Sequence, residues 1–146
     1  MKPGQVTLGL HDLGMHPDDL IARDTTSAIL GAFYEVYNQL GFGFLEFIYA
    51  LALERELLAR GIPARREVMV QVHYKDELLA TQRVDMIVDE KVVVEIKSTS
   101  VLPKAAERQT LNYLRASNHE VALLLHFGPE PRFHRYVHSK RKHRNG

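Results

Sequence analysis

The stretch Arg83-Val84-Asp85-Met86-Ile87-Val88-Asp89-Glu90-Lys91-Val92-Val93-Val94-Glu95-Ile96-Lys97 reads as two β-strands joined by a charged turn. Valine and isoleucine crowd both arms, and β-branched side chains suit a pleated, half-buried surface. Side chains alternate along a strand. Val92, Val94 and Ile96 therefore point to one face, and Val93, Glu95 and Lys97 to the other. A carboxylate and an ammonium thus share a face inside an apolar strand, where charge is seldom placed without pairing or function. Asp85 lies among apolar residues in the preceding arm. The turn decides what these charges can do. If Asp89, Glu90 and Lys91 form a three-residue loop, Asp85 falls opposite Glu95, about 5 Å away across the strands. If the loop has two residues, Asp85 faces Val94 and the constellation fails.

Working outward, Val68, Val70, Val72 and Tyr74 alternate with Met69, Gln71 and His73, which predicts a half-buried strand before the hairpin. Lys75-Asp76-Glu77 forms the turn into the next strand, about Leu79 to Val88. Upstream the period is helical. Ile29, Leu30, Phe33, Val36, Tyr37 and Leu40 mark one helix, with Asp24 or Thr25 as N-cap. Gly41-Phe42-Gly43 breaks it. A second helix starts near Phe44 and carries Leu45, Ile48, Tyr49, Ala52, Leu53 and Leu57, with Gly61 as its C-cap and Pro63 beyond. Downstream, Pro103 opens a helix over about 103–117. Glu120 to Phe127 reads as a buried central strand, and Arg132 to Val137 as an edge strand. The expectation is an α/β fold, a mixed sheet flanked by helices, in the order α-α-β-β-β-α-β-β. Residues 1–17 read as a flexible arm, 18–137 as the domain and 138–146 as a basic tail.

The chain of 146 residues is of single-domain length, and its 45% hydrophobic and 25% charged content is that of a globular protein. The absence of cysteine excludes disulfides, Cys-ligated zinc and a Cys nucleophile. No apolar run spans a membrane and no signal peptide is visible, so a cytoplasmic location is expected. The net charge of +1 hides an asymmetry. Beyond Glu130 there are no acids, and Arg132, Arg135, Lys140, Arg141, Lys142 and Arg144 give that end a charge of +6, which leaves −5 on the rest. A basic end on an acidic body attracts phosphate backbones, or is simply a solvated terminus.

Asp85 and Glu95, if opposed, would raise each other's pKa unless a cation intervened. Oxygen ligands favour a hard divalent ion, Mg²⁺ or Mn²⁺. A lysine nearby can act on a bound water or on charge developing at a phosphate. The alternative is a structural ion pair of Glu95 with Lys97 or Arg83. Histidine sites do not assemble, since His11, His16, His134, His138 and His143 fall in flexible or edge regions. Ser98-Thr99-Ser100 lacks a His/Asp relay.

The motifs together resemble the PD-(D/E)XK nuclease superfamily, and within it the GxxExxY proteins. Gly43-Phe44-Leu45-Glu46-Phe47-Ile48-Tyr49 matches the GxxExxY pattern at every fixed position. Asp85 and Glu95-Ile96-Lys97 match the acidic and ExK motifs, although Val84 replaces the proline of "PD". Gln109-Thr110-Leu111-Asn112-Tyr113 matches a QxxxY helix. Leu124 to Gly128 is similar to the closing strand, with His126 where Asn is usual. The resemblance covers about residues 20–137 and implies a restriction-endonuclease-like core. It implies a Mg²⁺- or Mn²⁺-dependent nuclease acting on nucleic acid, DNA before RNA. Asp85, Glu95, Glu46 and the Ile96 carbonyl would hold the metal. Lys97 would act on the attacking water, and Glu46 and Gln109 would complete the site. Glu46 borders or enters the core on this reading; otherwise it is a first-turn Glu favoured by the helix dipole. Tyr113 would pack at the site, and Arg135, Lys140, Arg141, Lys142 and Arg144 would hold phosphates. A non-catalytic module that binds nucleic acid or a partner is the rival reading. A homodimer or a larger complex stays open.

Overall fold

The structure, a computed structural model, describes residues 17–140. A 3-10 turn, Pro17–Leu20, precedes helices α1 (Arg23–Leu40) and α2 (Glu46–Ala59). Strands β1 (Ala64–Tyr74), β2 (Glu77–Val88) and β3 (Val92–Lys97) follow. Helix α3 (Lys104–Ala116) then leads to β4 (Val121–Phe127) and β5 (Pro131–Val137). The succession of helices and strands matches the expectation. Most of the arm and tail expected at the termini lies outside the described residues.

The five strands form one sheet in the order β1-β2-β3-β4-β5. Every pair is antiparallel except β3 with β4. A parallel pair needs a long crossover, and α3 supplies it. The helices cover both faces. Ile29, Phe33 and Val36 of α1 and Tyr49, Leu53 and Leu57 of α2 bury against Met86, Val92, Val94, Ile96 and Leu123. On the opposite face Tyr113 and Leu114 of α3 cover Ile87, Val93 and Ala122. Strands β3 and β4 are thus buried on both sides, which is why they read as nearly continuous apolar runs. Each large side chain so buried contributes about 1.5–3 kcal/mol.

Several boundaries differ from the reading by periodicity, among them the start of β2, which lies at Glu77 instead of about Leu79. Helix α1 has Ala22 at its N-cap, in a left-handed conformation and without a side-chain cap. Asp24 and Thr25 lie inside the helix, and the Thr25 hydroxyl donates instead to Asp89 Oδ2 at 3.3 Å. A partner distant in sequence has outcompeted the local cap. Helix α2 starts at Glu46 rather than near Phe44. The Tyr49 hydroxyl accepts the Phe44 amide at 3.2 Å and donates to the Gly41 carbonyl, which holds residues 41–45 out of the helix. Gly43 makes that path possible with φ 115°, a conformation that side chains resist. The end of α2 follows the signal. Gly61 adopts φ 78°, and the Ile62 amide donates to the Leu57 carbonyl at 2.9 Å. Finally, β1 begins at Ala64, because it pairs with β2 along its whole length.

Candidate functional site

The turn at 89–91 takes the three-residue form. Val88 pairs with Val92, Ile87 with Val93 and Met86 with Val94. The next step puts Asp85 across from Glu95, and there the ladder ends. Strand β3 continues beside β4 as far as Lys97 opposite His126, while β2 leaves with β1. Backbone groups stranded at such a split need other partners. The two carboxylates provide them. The Asp85 amide donates to Glu95 Oε1 at 3.0 Å, and the Ile96 amide donates to Asp85 Oδ2 at 2.7 Å. Each carboxylate is tied to the strand of the other.

The β1 side of Asp85 is disturbed as well. Pairing steps from Arg66–Met86 to Val68–Val84, and the skipped Glu67 has φ 54°. A residue with a Cβ held there costs about 1–2 kcal/mol. Asp85 therefore occupies a gap between two ladders.

The electrostatics of this gap are one-sided. Glu95 is 5% exposed. Burial, then the negative charge of Asp85, pushes its carboxyl up to about 8, against the Asp85 amide bond and the charge of Lys97. The structural ion pair weighed for Glu95 does not form. Arg83 meets Glu67 at 3.9 Å, and half-buried Lys97 makes no ion pair among the described residues.

A cleft of about 190 Å³ opens on the gap, lined by Glu46, Asp85, Ile96, Arg66, Glu67 and Arg83. Glu46 sits exposed at the first position of α2 and borders the cleft rather than entering the core. It accepts the Ser98 amide at 3.4 Å. Tyr113 belongs to the core under α3, and its hydroxyl accepts a hydrogen bond from Gln109 Nε2 at 2.8 Å. Burial, then the negative charge of Glu95, raises the Tyr113 pKa. Ser98 donates its hydroxyl to the Phe44 carbonyl, and His126 Nε2 lies 2.7 Å from the Thr99 carbonyl. This loop is thereby pinned.

Of the expected basic residues, Arg135 and Lys140 are described, and neither lines the cleft. Arg135 Nη2 donates to the carbonyls of Asp18 at 3.0 Å and Ile21 at 2.9 Å. Lys140 Nζ donates to the carbonyls of Leu114 at 3.3 Å and Arg115 at 3.5 Å. Arg135 thus ties β5 to the turn before α1, and Lys140 ties the segment after β5 to the end of α3. Arg141, Lys142 and Arg144 lie outside the described residues. The cations at the cleft are Arg66 and Arg83, which sequence reasoning missed as site residues. Arg66 is fixed by Glu54 at 3.1 Å. Only the β1–β2 register brings Arg66 beside Asp85, and no local pattern announces it.

A divalent cation fits this gap. Two carboxylates face each other without a paired cation, and burial makes their joint ionisation costly. The oxygen-only donor set suits a hard ion. Asp85 and Glu95 would hold it. Among the described residues no three His, Asp or Glu side chains converge on one point, so Glu46 does not join them here. Mg²⁺ is commonly held by one or two carboxylates, with water and substrate phosphate filling the rest.

These features define a class: α/β proteins with an Asp and a Glu-x-Lys at the split of a mixed sheet. The chain belongs to the PD-(D/E)XK nuclease superfamily, whose family profile matches residues 23–138. That superfamily acts on nucleic acid and usually uses divalent metals. No curated protein matches the chain. Among solved structures, that of SSO0001 is similar in fold, with a TM-score of 0.50 and 22% identity over 80% of this chain. The chain spans 59% of the length of that protein. No helix among the described residues is long and apolar enough to cross a membrane.

Proposed function

We propose that the protein is a nuclease that hydrolyses phosphodiester bonds, with Mg²⁺ or Mn²⁺ at Asp85 and Glu95, and with DNA as the preferred substrate. The observation that carries this is the opposition of Asp85 and Glu95 at the strand split, with Lys97 two residues beyond Glu95 on the same face of β3. The run Gly43 to Tyr49 supports placement among the GxxExxY proteins. The working unit is residues 18–137.

The residues divide the work by chemistry. Asp85 and Glu95 hold the cation, with the Ile96 carbonyl as a further oxygen donor, and Glu46 stands at the edge of the cleft. The cation, when bound, supplies Lewis acidity and lowers the pKa of water. Lys97 offers a mobile ammonium that orients water or neutralises charge growing on the phosphate. Gln109, steadied by Tyr113, adds a hydrogen-bonding group on the α3 side. Arg66 and Arg83 hold the phosphate backbone at the cleft wall, and the basic tail of Arg141, Lys142 and Arg144 adds non-specific attraction. The second reading, a binding module, draws on the fact that Glu46 does not converge with the other two carboxylates.

One assay separates the two. Purified protein is incubated with linear and circular DNA and with RNA, in Mg²⁺ or Mn²⁺, beside Lys97→Ala. Cleavage that falls by at least about a hundredfold in the variant is the expected result. Equal background in both proteins, with metal binding confirmed by calorimetry, sinks the nuclease and leaves the module.

A further inference from the structure

The segment Gly41-Phe42-Gly43-Phe44-Leu45-Glu46-Phe47 carries three phenylalanines that the core does not take. Phe42 is 43% exposed, Phe44 45% and Phe47 56%. Scattered apolar residues at a surface are ordinary, but a contiguous cluster marks a contact. These rings line one side of an open recess of about 720 Å³ whose other side is Ser98, Thr99 and Ser100. Glu46 lines both this recess and the cleft of Asp85. The aromatic surface is thus continuous with the proposed catalytic centre.

The backbone that presents the rings is held in place. The Tyr49 hydroxyl binds Gly41 and Phe44, the Ser98 hydroxyl binds the Phe44 carbonyl, and the Phe44 ring meets Tyr49 edge-on at 6.0 Å. A surface ordered in advance loses little entropy on binding. Across Glu46 from the rings stand Arg66 and Arg83. Cations, carboxylates and aromatic faces therefore follow one another along a single path. Cations match backbone phosphates. Exposed aromatic rings match the π-faces of bases, and only an unpaired, unstacked base has a free face to offer. A continuous duplex keeps its faces stacked inside.

We propose that Phe42, Phe44 and Phe47 form a stacking platform for unpaired nucleobases beside the scissile phosphate. The substrate is then a single strand, a frayed end or a flap. The inference rests on the nuclease reading above and adds the substrate class to it.

The test uses the full chain and short single strands of DNA and of RNA that contain 2-aminopurine, whose fluorescence is quenched on stacking. The matching blunt duplexes are the comparison. Binding is read in a chelator, and cleavage of the same strands is read separately in Mn²⁺. Phe42→Ala and Phe47→Ala are the test variants, since Phe44 also packs on Tyr49, and Phe47→Trp restores a ring. The expected result is quenching of single strands, tighter binding of single strands than of duplex, and about five- to a hundredfold weaker binding for each alanine. Phe47→Trp retains the wild-type affinity. The DNA and RNA arms show which sugar the platform accepts. Alanine variants that bind and cut single strands as the wild type does overturn the platform and leave the nuclease standing. So does a wild-type protein that binds and cuts blunt duplex as well as single strands. A dimer in sedimentation that the alanines dissociate, with strand binding unchanged, assigns the patch to a second copy of the chain and overturns the platform. A wild-type protein that neither binds nor cuts any strand overturns both readings.

Discussion

At the scale of the residue, Glu95 couples protonation to folding. Its carboxyl moves from an ordinary 4.5 to about 8 in the folded chain, chiefly through burial. Between those values the folded state holds a proton that the unfolded state has lost. Stability without metal therefore falls as pH rises through that window, and is level below and above it. The expected loss is up to a few kcal/mol. Urea unfolding in chelator, near pH 5 and near pH 9, measures it. Glu95→Gln should remove most of the slope, and a variant with the wild-type slope would place the titration elsewhere. A divalent cation needs the ionised carboxylates, so its stabilising effect should grow with pH over the same range. Thermal melts with and without Mn²⁺ at the two pH values check this. Asp85 was legible in the sequence as a charge among apolar neighbours. Arg66 and Glu67 were not, because nothing in Arg65-Arg66-Glu67 distinguishes a cleft wall from a solvated strand.

At the scale of the element, the loop before α2 is governed by a few backbone contacts. Tyr49 keeps its ring in the core, stacked on Phe127 with centroids 4.1 Å apart, while its hydroxyl holds Gly41 and Phe44. Tyr49→Phe preserves the packing and removes those bonds. It should cost about 1–2 kcal/mol in denaturant unfolding and loosen residues 41–45. An unchanged midpoint would show that the loop stands without the hydroxyl. Gly43 tests the same loop by conformation. A Cβ there meets no neighbouring atom, so any cost of Gly43→Ala comes from φ 115° alone. About 1–3 kcal/mol is expected. The helical and strand periods in this region were plain in the sequence. The boundary of α2 was not, since the residue that sets it, Tyr49, lies inside the helix and reaches back to residues before it.

At the scale of the whole molecule, stability is distributed unevenly across the sheet. All seven residues of β4 are buried, and it is covered on both faces. The hairpin of β1 and β2 runs beyond the core, and residues 77–83 are all exposed. Two strands alone are marginal in water. Amide hydrogen exchange should therefore be slowest in β3 and β4 and fastest within the described strands at the outer part of this hairpin, about 71–82. Uniform protection along β2 would mean that something covers the hairpin in solution.

From the sequence by itself, the acidic motif was legible through its family resemblance, and the order of elements and the mixed α/β class from the residues themselves. The order and the class follow from short-range rules: a period of 3.6 or 2, a glycine past a helix end, a parallel pair that needs a crossover. The sequence left the register of the hairpin open between two loop lengths, and one residue of slip would turn Asp85 away from Glu95. Tertiary structure decided that register, because only one choice buries Met86 and Val88 against α1 and α2. It also decided which cations stand at the cleft. Arg135 and Lys140 were drawn to the backbone carbonyls of the turn before α1 and of the end of α3, while Arg66 came to Asp85 through strand pairing and joined Arg83, two residues from Asp85 on β2. Charge can be counted along a chain, but the partner of each charge depends on distance in space, and only the packed fold sets that.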